Sequence, residues 1–308
     1  LSWVDNLLLV GAPRQNLYGN SNGYAYRLQL RDGINNLDLQ YADDRGDVSN
    51  VRPYQYTTNQ FDHGNCRRPI RWGSPTWYFF NTASSGAGRS QEQMGYVIGG
   101  VADLNADGLG DIVIGAPGAF ADKSGAVYIV YRRTASLEAN RDLAVIELGL
   151  SEEGRRIGVL IRGRPGENFG TVAGTGADLN GDRITEKLDL NRDGRPDLVL
   201  GNPGYNGGRG EVVIVFGNPD LQSPAGGYGI DDLVNQNLGA VIRGEAVADK
   251  AGYNVSYAGD FDGDGRPDLL VSAPEASVDT NGDGQADLVK AGKVYLILGA
   301  NQITPGSV

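Results

Sequence analysis

Apolar residues in this chain fall into short runs that recur: LLLV (7–10), IVIGA (112–116), VYIVY (127–131), LVLG (198–201), VVIVF (212–216), LLVSA (269–273) and VYLIL (294–298). They are rich in Val, Ile, Leu and Tyr and are bounded by Gly, Pro, Asn and Asp, which is the signature of β-strands closed by turns. No segment sustains a convincing helical period. No run approaches the roughly 20 apolar residues needed to cross a bilayer.

The runs belong to a longer repeat. DLNADGLGDIVIGAP (103–117), DLNRDGRPDLVLGNP (189–203) and DFDGDGRPDLLVSAP (260–274) align without gaps, and NLLLVGAP (6–13) keeps only the apolar part. Each is followed by a second strand that opens on Gly: GYAYRLQL (23–30), GAVYIVY (125–131), GEVVIVF (210–216) and GKVYLIL (292–298). The segments VLIRGRPGENFG (159–170) and AVIRGEAVADKAG (240–252) precede two of the copies. The unit is therefore strand, acidic loop, strand, turn, strand, connection, strand. A four-stranded antiparallel sheet repeated in tandem predicts an all-β chain built as β-propeller blades.

Blades are expected over about 1–30, 93–150, 159–220 and 240–300, with 31–92 outside the repeat. That stretch reads as a degenerate blade, an elaborated outer strand or a loop covering one face. The spacing from Gly95, Gly170 and Gly252 to Asp103, Asp178 and Asp260 is constant, as is that from Asp103, Asp189 and Asp260 to Gly115, Gly201 and Ser272. In the third unit the two anchors disagree, so residues are inserted within the acidic loop. The fourth unit carries DTNGDGQAD (279–287) between its second and third strands.

The chemistry resides in the DxDxDGxxD loops. A cation of calcium's size takes six to eight oxygens at about 2.3–2.6 Å. Acids or amides at positions 1, 3 and 5, a turn Gly at 6, a carbonyl at 7 and an acid at 9 supply such a shell. The ligand sets are Asp103, Asn105, Asp107, Leu109 (carbonyl) and Asp111; Asp189, Asn191, Asp193, Arg195 (carbonyl) and Asp197; Asp260, Asp262, Asp264, Arg266 (carbonyl) and Asp268; and Asp279, Asn281, Asp283, Gln285 (carbonyl) and Asp287. A fifth candidate, Asp178, Asn180, Asp182 and Glu186, has Arg183 in place of the turn Gly. Ordinary Asp- and Gly-rich turns are the alternative reading of one copy; four copies favour Ca²⁺. Magnesium, which prefers few protein ligands, fits less well.

These units resemble the FG-GAP repeat of the integrin alpha-subunit propeller and its bacterial relatives. Phe169-Gly170 gives the FG, with Met94-Gly95 and Ala251-Gly252 in its place elsewhere. The GAP is Gly11-Ala12-Pro13 and Gly115-Ala116-Pro117, with variants Gly201-Asn202-Pro203 and Ser272-Ala273-Pro274. The resemblance covers roughly 1–30 and 93–300. It implies a propeller, typically seven-bladed, with calcium hairpins on one face and ligand-binding loops on the other, in an extracellular and mostly adhesive or protein-binding molecule. The chain opens at or near a second strand and ends soon after a third, which suggests a slice of a longer polypeptide or an open array; a compact four-bladed ring fits less well.

Composition narrows the function. The net charge of −11 argues against nucleic acid as the main partner. A single Cys (Cys66) permits no internal disulfide, and with the single His63 three residues away it is too little for a zinc site or a Cys-His or Ser-His-Asp centre. Arg45-Gly46-Asp47 reads as a turn, and Arg67, Arg68, Arg71 and Trp72 as a solvated loop. The expectation is a calcium-stabilised extracellular or cell-surface module, secreted or periplasmic, that binds a protein or glycan and performs no catalysis. A scaffold subunit contacting its neighbours, and an accessory propeller of a secreted phospholipase or polysaccharide-degrading enzyme, are the alternatives.

Overall fold

The computed structural model describes residues 2–4, 7–12, 24–29, 77–80, 92–131, 140–142, 151–152, 155–174 and 188–299. These residues form an all-β arrangement of mainly antiparallel sheets. In the first sheet Ser2–Val4, Leu7–Ala12, Tyr24–Gln29 and Trp77–Phe80 pair in chain order, and Asn140–Asp142 runs parallel at the edge. The second sheet is Val97–Val101, Asp111–Ala116, Ala126–Val130 and Gly158–Arg162, with Tyr228–Gly229 parallel outside it. The third is Val172–Gly174, Leu198–Asn202, Glu211–Val215 and Gly239–Arg243. The fourth has three strands among the described residues, Asn254–Gly259, Asp268–Ala273 and Lys293–Ile297.

Hydrogen bonding divides the chain differently from the boundaries expected above. Gly158–Arg162 and Gly239–Arg243 each close the sheet before them rather than opening the next. Ser2–Val4 pairs antiparallel with Leu7–Ala12 as the first strand of its sheet. Trp77–Phe80, from the stretch that breaks the repeat, is the fourth strand of the first sheet. A short helix, Ile230–Asn235, buries Ile230 and Leu233 and holds Gly229 through the Asp232 carboxylate. At six residues it is too short to leave a periodic signature.

Sheets stack face to face, and this explains why the central strands are apolar at consecutive positions. One face of the second sheet (Val113, Val127, Ile129, Val159) packs against Leu198, Leu200 and Val213 of the third. The opposite face of the third (Val199, Val212, Ile214) packs against Val255, Leu269 and Val271 of the fourth. Asp111–Ala116 and Leu198–Asn202 are thus buried on both sides. Truncating such a residue, as in Leu200→Ala, costs about 2–5 kcal/mol.

Arg164, in the link between the second and third sheets, ties the two together. Its guanidinium donates to Glu211 at 2.7 Å and to Asp231 of the short helix at 2.6 and 2.9 Å, and it lies over the Tyr205 ring. Burial pushes the Glu211 carboxyl up, and Arg164 opposes that shift. Asn202 bridges Glu167 and Glu211 at 2.8 and 3.0 Å.

Candidate metal centre

Three acidic loops join the first and second strands of the second, third and fourth sheets, so they sit at corresponding ends. The 279–287 loop follows the end of Asp268–Ala273, whereas the 260–268 loop precedes its start. The two therefore leave the fourth sheet at opposite ends. The 279–287 hairpin is closed at its base by reciprocal Val278 and Leu288 amide bonds of 2.9 and 3.0 Å. Glu275, held by Lys250 and Lys290, stands beside that base; these hydrogen bonds pull its carboxyl down to about 2.

Each loop winds in the same hydrogen-bond register. The first Asp accepts from the turn Gly amide: Gly108 to Asp103 (2.7 Å), Gly194 to Asp189 (2.9 Å), Gly265 to Asp260 (2.9 Å) and Gly284 to Asp279 (2.8 Å). The third position accepts from the fifth amide, at Asn105, Asn191, Asp262 and Asn281. The fifth side chain accepts from the seventh amide in three loops: Leu109 to Asp107, Arg195 to Asp193 and Gln285 to Asp283. In the 260–268 loop Asp264 instead approaches Arg266 Nε at 3.1 Å.

The ninth position closes the loop by accepting the second amide: Leu104 to Asp111 (3.0 Å), Leu190 to Asp197 (2.7 Å), Phe261 to Asp268 (2.7 Å) and Thr280 to Asp287 (2.7 Å). Asp111, Asp197 and Asp268 are buried, the first and last opening a strand and Asp197 immediately before one. Asp197 and Asp268 also accept from Gly217 and Gly299, which follow the third strand of the same sheet, at 3.0 and 2.7 Å. Burial pushes the Asp197 carboxyl up to about 7; the N–H groups of Gly217 and Leu190 oppose the shift, and the Asp193 and Asp189 charges reinforce it. Asp287 is exposed, and its carboxyl is pulled down by the Thr280 hydroxyl and amide. Asp279 is likewise pulled down by the Gly284 and Gly282 amides.

The donor set fits a hard divalent cation. Carboxylate oxygens of Asp260, Asp262 and Asp268 lie within 4.8 Å of one another. Two ligands of one Ca²⁺ are separated by at most about 5 Å, twice the metal–oxygen distance. The other three loops have Asn at the third position and offer an amide oxygen there. Asp178, Asn180, Asp182 and Glu186 lie outside the described residues, as do Arg45-Gly46-Asp47, His63, Cys66 and Arg67–Trp72.

Two features escape a reading of motif spacing. The fourth loop position is left-handed in every loop: Ala106 (φ 59°), Arg192 (63°), Gly263 (78°) and Gly282 (78°). Gly at two of the four was the available hint. The second feature is the capture of the closing acid by Gly217 and Gly299, signalled only by a Gly ending both VVIVFG and VYLILG.

Comparison with known proteins agrees with this layout. The FG-GAP repeat model matches residues 94–130, 187–215 and 251–277. Mouse phosphatidylinositol-glycan-specific phospholipase D is 31% identical over 182 residues, 57% of this chain and 18% of that protein. Human integrin alpha-7 is 32% identical over 181 residues, 56% of this chain and 12% of its own length. Integrin alpha pat-2 of Caenorhabditis elegans is 28% identical over 189 residues, 59% of this chain and 14% of its own length. The chain thus spans less than a fifth of each of these relatives. No helix among the described residues is long and apolar enough to cross a membrane. The chain carries FG-GAP repeats in three places, and each encloses one of the three acidic loops that precede a second strand.

Proposed function

We propose that these sheets are blades of a β-propeller, that the acidic loops hold Ca²⁺, and that the molecule is an extracellular or cell-surface module binding a protein or glycan without chemistry of its own. The observation that carries this reading is the shared register of the loops: four separate segments converge on one oxygen-lined winding. Ca²⁺ would be held by the side chains at positions 1, 3, 5 and 9, with the carbonyls of Leu109, Arg195, Arg266 and Gln285. When bound it supplies positive charge that offsets carboxylates crowded at a strand mouth. The chain's own residues do the rest: Asp111, Asp197 and Asp268 anchor the winding to the sheet, and the turn glycines aim their amides inward.

The loops take separate roles. Those at 103–111, 189–197 and 260–268 stabilise blades, and the exposed loop at 279–287 orders a recognition surface at the other end of the fourth sheet. Calorimetric titration of the full chain with Ca²⁺ tests the first part, with four equivalents expected and a fifth if 178–186 also binds. Heat-free titration, or melting indifferent to chelator, refutes it. For the second part, retention on immobilised matrix proteins and glycans should fall in Asp283→Ala while its melting stays near that of the parent; the reverse pattern refutes it. The match to a phosphatidylinositol-glycan-specific phospholipase D supports a second reading, in which the propeller is the non-catalytic companion of a hydrolase.

A further inference from the structure

The third and fourth positions set the 279–287 loop apart from the other three wound loops. The pairs there are Asn105-Ala106, Asn191-Arg192, Asp262-Gly263 and Asn281-Gly282. Of these four, only the last joins a side-chain amide to glycine. Asn is a thermolabile residue, because the backbone nitrogen that follows it can attack its side-chain carbonyl. Ala106 and Arg192 carry a Cβ beside that nitrogen, which crowds ring closure. Gly282 has none, and a Cβ built there would meet nothing within 4 Å, so no neighbour shields the position. Asn281 and Gly282 are both exposed.

The winding of the loop opposes this reaction. The Gly282 amide, whose nitrogen is the nucleophile, donates to Asp279 Oδ1 at 2.7 Å. The Asn281 side chain is held at both ends: its Oδ1 accepts from the Asp283 amide at 2.8 Å, and its Nδ2 donates to Asp287 Oδ1 at 3.2 Å. Nucleophile and electrophile are thus tied to different residues, and the ring closes only when the loop unwinds.

We propose that Asn281–Gly282 is a site of spontaneous self-modification whose conversion is restrained by the winding of its loop. The Gly282 nitrogen loses its proton to solvent and bonds to Asn281 Cγ; the Cγ–Nδ2 bond breaks and ammonia leaves, giving a succinimide. Water then opens either carbonyl of that ring. One product is an aspartate, which gives the loop the acid order DTDGDG, matching DFDGDG at 260–265. The other is an isoaspartyl link, which adds a backbone carbon and offsets the hydrogen bonds that span it, Gly284 to Asp279 and Thr280 to Asp287. Either product irreversibly changes the surface that this loop presents. The part played by a cation in the restraint rests on the calcium reading above; the chemistry at Asn281 does not.

The test incubates the full chain at mildly alkaline pH and assigns each deamidated Asn by tandem mass spectrometry. In chelator Asn281 should convert at least about tenfold faster than Asn105 and Asn191, which no glycine follows. Ca²⁺ at about ten times its dissociation constant should slow Asn281 roughly tenfold, because conversion follows the population of the unwound loop. Asn206–Gly207, exposed in a turn outside the acidic loops, is the internal control and should not respond to Ca²⁺. Asp279→Ala frees the Gly282 amide and should speed Asn281 severalfold in chelator while Asn206 keeps its rate. Conversion at Asn281 no faster than at Asn105 and Asn191, or indifferent to Asp279→Ala, overturns the inference, as does a rate unmoved by Ca²⁺ in a chain that binds it. A chain that gives no heat with Ca²⁺ yet keeps the first and last differences upholds the site and overturns the calcium reading instead.

Discussion

The loops at 189–197 and 279–287 use the same nine-position pattern and the same internal register, yet they are different objects. The first ends on a buried acid that is also gripped by Gly217, so its oxygens are part of the sheet. The second ends on an exposed acid held by Thr280 of the same loop. A local motif sets the winding; where its last residue is planted decides whether the winding supports the fold or stands clear of it.

The largest expected effect breaks this contrast directly. Asp197→Ala leaves the Leu190 and Gly217 amides without an acceptor, at about 1–3 kcal/mol for each buried unpaired group. Asp287→Ala, on the exposed loop, should leave the thermal melt close to that of the parent. Equal losses would erase the distinction.

Chelator comes next. Binding to the folded state alone adds about 2.7 kcal/mol at one hundred times the dissociation constant, so the melting midpoint should drop on adding chelator. The drop should shrink in Asp197→Ala and persist in Asp287→Ala.

A pH series sharpens the comparison. The folded Asp197 carboxyl titrates near 7, above its ordinary value of 3.8, so the folded chain holds that proton more tightly than the unfolded one. Its contribution in the chelated chain is fully present below about 4 and is lost as pH rises toward 7. Asp287, pulled down, contributes in the opposite sense: its stability is present above 3.8 and lost as pH falls. Urea midpoints between pH 4 and 7 should therefore fall in the chelated parent and flatten in Asp197→Asn.

The smallest effect is local strain. Arg192→Gly relaxes a left-handed residue and should raise the chelated stability by up to about 1 kcal/mol. Gly282→Ala should lower it by a similar amount.

Much of this was legible in the sequence, for identifiable reasons. Strand runs and acidic loops are local, so Asp111–Ala116 and Asp189–Asp197 could be placed from spacing alone. Partnership between strands is not local. The segment Gly158–Arg162 resembles the start of the unit that follows it, yet it pairs backward onto Ala126–Val130, and no residue within it announces the direction. Trp77–Phe80 was hidden because 47 residues separate it from the strand it joins, Tyr24–Gln29, with no repeat between them to fix the register. Gly115 and Gly201 read as the first residues of the GAP motif and its variant; their reason lies in Gly170 and Gly252, which only the stacked sheets bring near.

Arg164 carries a consequence for synthesis on the ribosome. Its partners Glu211 and Asp231 lie 47 and 67 residues downstream. At about 5–20 residues per second, several seconds pass before the guanidinium can meet both. Until then the guanidinium at the rim of the nascent second sheet has only Glu167, three residues on, among these three carboxylates, and the clasp to the third sheet is completed when the Ile230–Asn235 helix has emerged.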